Sequence, residues 1–77
     1  MNANELRTAL EAKRVPRQRY SLMVGGFPGD CYCLVQDGEG YEVYFSERGL
    51  KSRTWSFATE ADACEFMLGK LERFARN

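Results

Sequence analysis

Asp37-Gly38-Glu39-Gly40 stands between two runs of alternating side chains, Cys31 to Gln36 and Tyr41 to Glu47. Asp-Gly and a second glycine two residues on supply the backbone freedom a tight reversal needs, so the runs are joined as a β-hairpin. Successive strand side chains point to opposite faces, and the hairpin register therefore decides what is buried. A tight turn within residues 37–40 pairs Leu34 with Val43 or Tyr41, whereas a longer loop pairs Cys33 with Val43. The tight turn is preferred. It sends Tyr32, Leu34, Val43 and Phe45 inward with Trp55 and Phe57, and leaves Cys31, Cys33, Glu42 and Tyr44 looking outward.

Other elements follow from pattern and punctuation. Tyr20 to Val24 alternates as a strand with Tyr20, Leu22 and Val24 on one side, before the turn residues Gly25-Gly26-Phe27-Pro28-Gly29-Asp30. Arg48-Gly49-Leu50-Lys51 connects the hairpin to a strand from Arg53 to Phe57. Residues 2–14 predict a short helix with Leu6, Ala9 and Leu10 on one stripe, a capping box from Asn2 to Glu5 and a stop at Pro16. That stripe is thin, so the helix must dock to persist. Residues 60–75 carry the stronger pattern: Cys64, Met67, Leu68, Leu71, Phe74 and Ala75 fall at buried-face spacing. Thr59 is the N-cap, Glu60, Asp62 and Glu65 lie near the positive end of the macrodipole, and Lys70, Arg73 and Arg76 lie near the negative end. Phe66 projects away from this stripe, which leaves it exposed, edge-packed or in a contact.

The order α-β-β-β-β-α implies one α+β domain over residues 1–77: an antiparallel four-stranded meander with two helices on one face and the other face open as the working surface. At 77 residues a second domain is excluded. Eleven Lys and Arg against eleven Asp and Glu cancel, which argues against a dedicated polyanion binder. No apolar run approaches the ~18 residues that cross a bilayer, and the first residues lack a signal-peptide pattern, so no membrane partner and a cytoplasmic location are expected.

The chain has no histidine and three cysteines. Histidine's absence removes the side chain most used for acid–base work near neutrality. Cys31 and Cys33 share a strand face but are poorly placed to bridge, and reduced thiols are expected. A zinc site would need a fourth ligand such as Asp30, so no metal and no cofactor are expected. Cys64 lies on an apolar stripe among acidic residues that oppose thiolate formation, which fits a core role. Glu42 and Glu47 bring no pocket signature, and no enzymatic activity is expected. A double-stranded-RNA-binding reading of the element order fails where that domain uses lysines: the last helix starts with Glu60, Asp62 and Glu65. Arg14, Arg17 and Arg19 read as a solvated helix end, and nucleic acid is not the expected partner.

Charge is nonetheless uneven along the chain. From Asp30 to Glu47 run Asp30, Asp37, Glu39, Glu42 and Glu47 with no basic residue between them. With Tyr41 and Tyr44 nearby, this acidic hairpin reads either as a protein-binding surface or as a device against edge-to-edge aggregation.

Tyr41-Glu42-Val43-Tyr44-Phe45-Ser46-Glu47-Arg48-Gly49, then Phe57, Glu60 and Ala63-Cys64, with Tyr20-Ser21-Leu22 and Cys33-Leu34, resembles the signature of a group of small bacterial proteins. These are immunity proteins encoded beside polymorphic toxins, including those of contact-dependent growth inhibition systems. The resemblance spans residues 20–68 and leaves the first helix outside. It implies neutralisation of a cognate protein toxin, such as a basic nuclease-like domain, by direct binding and active-site occlusion. On this reading Asp37, Glu39, Glu42, Tyr44, Glu47 and Arg48 form the binding face, although Arg48 also reads as a turn residue paired locally with Glu47. The alternative is a small adaptor or regulatory module that binds another protein. Sequence leaves open whether the chain pairs with itself.

Overall fold

The computed structural model describes residues 1–76. The elements are α1 (Ala3–Ala12), β1 (Tyr20–Leu22), β2 (Cys31–Asp37), β3 (Gly40–Glu47), β4 (Leu50–Phe57) and α2 (Glu60–Leu71). Short 3-10 turns at Arg17–Arg19 and Glu72–Phe74 precede β1 and follow α2.

The tight hairpin register holds. Leu34 pairs with Val43 and Asp37 with Gly40, leaving Gly38 and Glu39 as the reversal, with Gly38 at φ +60°. Gly40 is required for a different reason: a Cβ there would stand 2.7 Å from the Phe57 carbonyl oxygen. β4 pairs with β3 through Val43–Trp55 and Tyr41–Phe57 and begins at Leu50, earlier than the pattern predicted. Arg48 and Gly49, at φ +52° and +77°, make a tight turn that carries pairing up to the reversal.

The antiparallel meander is corrected at β1, which runs parallel to β2, with Tyr20 opposite Tyr32 and Leu22 opposite Leu34. The cause is local. Met23 adopts φ +64° immediately after Leu22, and its N–H donates to the Leu34 carbonyl at 2.7 Å, so the chain leaves the sheet there. It crosses over and re-enters as β2 at the end where β1 began. Val24, placed inward by the alternation, is instead 80% exposed.

Both helices cover one sheet face, as the sequence implied. Leu6 and Leu10 of α1 and Ala63, Cys64, Met67 and Leu71 of α2 form one core with Leu22, Tyr32, Leu34 and Val43. The capping box is present, with Asn2 Oδ1 accepting from the Glu5 N–H and Glu5 Oε1 from the Asn2 N–H, each at 2.8 Å. Thr59 Oγ1 accepts from the Asp62 N–H at 3.2 Å. Pro16 is not what stops α1. Arg14 turns to φ +57°, and the N–H groups of Arg14 and Val15 donate to the carbonyls of Glu11 and Leu10 at 3.0 Å. This is a Schellman cap with buried Val15 as its hydrophobic contact. Phe66 is edge-packed, with its ring centre 4.9 Å from Trp55 and 5.1 Å from Phe57.

The helices lie side by side and run the same way. At their starts the Ala3 N–H donates to Glu60 Oε2 at 2.8 Å, and at their ends the Arg76 N–H donates to the Lys13 carbonyl at 2.9 Å.

Candidate functional site

The face away from the helices is not open at its centre. Cys31, Cys33 and Tyr44 project there, as the register required, but they are 3%, 0% and 2% exposed. The crossover between β1 and β2 supplies the cover. Tyr44's hydroxyl donates to the Gly26 carbonyl at 2.6 Å, and the Phe27 ring centre lies 6.2 Å from the Tyr44 ring. On the β4 side Lys51 Nζ sits 4.6 Å from the Tyr44 ring centre and 2.7 Å from Glu42 Oε1.

Burial sets the chemistry of this second core. Desolvation, then the adjacent Cys33 and Asp30, pushes the Cys31 thiol up to about 12. Tyr44 is likewise raised to about 12, first by burial and then by Cys33. Burial also raises the Cys33 thiol, and Cys64 in the main core is raised by burial and by Glu60. Thiols held neutral in this way are poor nucleophiles and poor ligands at neutral pH. The Cys31 and Cys33 sulfurs lie 3.7 Å apart, close enough for a weak S–H contact. Ser46 Oγ, on the same face opposite Cys31, is buried without a partner. Among the described residues no group of three or more His, Cys, Asp or Glu side chains could hold a metal ion.

The sequence-predicted binding residues fall in three places. Asp37 and Glu39 are exposed at the hairpin tip. Glu42 and Tyr44 lie on the covered face, Glu42 tied to Lys51 and Tyr44 to the crossover. Glu47 and Arg48 are exposed at the far end of β3, roughly 25 Å from the tip at the usual rise per strand residue. An exposed Tyr44 anchor is therefore corrected, because the crossover takes up both its ring and its hydroxyl. Arg48 makes no ion pair with Glu47. Lys51–Glu42 is the salt bridge found among the described residues.

What linear reading missed is how the fold sorts charge. The hairpin tip sits against the β4–α2 junction, since Gly40 packs on Phe57 and Ala58. Asp37 and Glu39 thereby share one end of the molecule with Glu60 and Asp62 in the first turn of α2 and Glu5 in the first turn of α1. The opposite end receives the last turns of both helices, the 3-10 turn before β1 and the β3–β4 turn. Lys13, Arg14, Arg17, Arg19, Arg48, Lys70, Arg73 and Arg76 lie in or beside those segments, with Lys51 and Arg53 following the turn on β4, among Glu11, Asp30, Glu47 and Glu72. Part of the signal lay in the helix termini, with Glu5 at the start of α1 and Glu60, Asp62 and Lys70 at the two ends of α2 complementing the macrodipoles, but the polarity needed both helices to point the same way. At the basic end an open groove of about 390 Å³ runs between β3–β4 and the end of α2.

Among the described residues no helix is long and apolar enough to cross a membrane. In comparisons with protein families, curated proteins and solved structures, nothing matches the chain.

Proposed function

We propose that this chain is an immunity protein that acts in the cytoplasm, binding a cognate bacterial toxin directly and occluding its active site. The mechanism needs no chemistry from the chain, only a rigid body and a complementary surface. The gathering of Asp37, Glu39, Glu60 and Asp62 at one end, none in a salt bridge among the described residues, carries this reading. A basic, nuclease-like toxin cleft would draw that end in electrostatically and be filled by the two-residue tip. The binding surface is accordingly the tip and the adjoining start of α2, with Glu42 at its flank.

Co-expression with a toxin domain encoded beside the gene tests the proposal. Wild type is expected to protect cells and form a stoichiometric complex. Asp37→Lys with Glu39→Lys is expected to slow association at least tenfold at low salt and to flatten its salt dependence. An unchanged association rate would remove the tip from the interface. Absence of both protection and complex would return the chain to the adaptor class.

A further inference from the structure

The acidic end serves the proposal above; the basic end is left without a role. Its cations converge. Arg19 Cζ lies 4.3 Å from the centre of the Phe74 ring, and Arg73 Cζ lies 4.8 Å from the same ring. Two guanidiniums thus share one phenyl group and lie within about a Debye length of each other. Arg73 and Lys70 then border the groove with Arg53 across from them on β4, and Tyr32, Phe45 and Ser52 line it between. Lys70 Nζ stands 5.4 Å from the Trp55 and Phe66 ring centres, so its charge too is set among aromatic groups. None of these cations has a carboxylate within salt-bridge distance among the described residues. In a chain with as many acids as bases, such a gathering is repulsive, and an anion would relieve it.

We propose that this strip, from Arg19 through Arg73 and Lys70 to Arg53, binds the phosphodiester backbone of single-stranded nucleic acid. Three features favour that partner over an acidic protein segment. Arginine predominates, and its planar fork takes phosphate oxygens in pairs. The cations form a line instead of a point, from beside β1 to β4, roughly 14 Å at the usual strand spacing and comparable to about four nucleotides of a strand. Half-buried Phe74 stands between Arg19 and Arg73, and half-buried Phe45 lines the groove, so aromatic surface accompanies the charges as it does in sequence-tolerant single-strand sites. The neutral composition conceals this strip, because carboxylates elsewhere in the chain cancel its charge. Glu47 is the carboxylate that borders the groove, and it opposes an anion there.

The inference concerns the end opposite the toxin-binding surface, so either reading can fail alone. The test titrates full-length protein into fluorescein-labelled U12 and dT12 oligonucleotides at 50 to 200 mM salt and follows anisotropy. Binding is expected to weaken with salt at a log–log slope of about −3, from about −0.7 per phosphate neutralised. Arg53→Glu or Arg73→Glu is expected to weaken binding at least tenfold and make that slope shallower. Glu47→Gln is expected to tighten it severalfold, which damaged folding would not produce. No binding at 50 mM salt overturns the proposal, as does binding indifferent to Arg53→Glu and Arg73→Glu. Tighter binding of poly-glutamate than of either oligonucleotide also overturns it and assigns the strip to an acidic protein. A duplex preferred with the same variant sensitivity overturns the single-strand assignment.

Discussion

Tyr44 shows how one side chain can change the meaning of a surface. By alternation it belongs to the face without helices, where an exposed phenol beside carboxylates would suit a partner. The structure gives its hydroxyl to the Gly26 carbonyl and its ring to Phe27 and Lys51, which makes it the fastening of the crossover. Tyr44→Phe keeps the ring and removes the bond. A hydrogen bond of this kind contributes about 1 kcal/mol, or a drop in Tm of about 4–8 °C in a domain this size. Because the crossover shields Cys31 and Cys33, their reaction with a thiol reagent is expected to accelerate in the variant while Cys64 stays unreactive. Labelling rates unchanged from wild type would show that Tyr44 does not hold the cover closed.

At the scale of elements, much was legible because local signals and long-range packing agree. Asp37-Gly38 set the hairpin register, Asn2 with Glu5 and Thr59 with Asp62 set the helix starts, and the i, i+3, i+4 stripe of α2 set its buried face. β1 was misread because alternation identifies a strand without its direction, and the deciding fact is the positive φ of Met23, a residue type that gives no warning of it. The end of α1 was misread for a similar reason, since Arg14 occupies a left-handed position usually given to glycine. Two glycines test the element-level account with opposite signs. Gly40→Ala would force a Cβ onto the Phe57 carbonyl at the tip–α2 junction, and overpacking of this kind costs about 1–3 kcal/mol. Gly69→Ala lies within α2 with open space around it, and removing a helical glycine stabilises by about 1 kcal/mol. Urea midpoints should move down for the first and up for the second. A midpoint that rises for Gly40→Ala would contradict the packing described there, and one that falls for Gly69→Ala would contradict the open space around that helical position.

For the whole molecule, the decisive feature is that a thin body, 36 × 28 × 17 Å, hides apolar surface on both sides of one sheet. Helices cover one side and a crossover without regular structure covers the other, so the second core depends on few residues, and Cys31, Cys33 and Tyr44 among them are weak acids. That composition sets an alkaline limit. The folded chain keeps protons on Cys31 and Tyr44 up to about 12, whereas the unfolded chain releases them near the ordinary thiol and phenol values of 9.0 and 10.0. Between those limits the native state binds more protons than the unfolded one, so stability falls as pH rises. The contribution is complete below about pH 9 and is lost progressively on approaching pH 12. Urea midpoints measured at pH 8 and pH 10.5 are expected to drop across that interval. The comparison that isolates the second core is Cys31→Val combined with Tyr44→Phe. This variant starts from a lower midpoint at pH 8 but loses less on going to pH 10.5. Equal losses in variant and wild type would place the alkaline sensitivity elsewhere and refute the second core as its source.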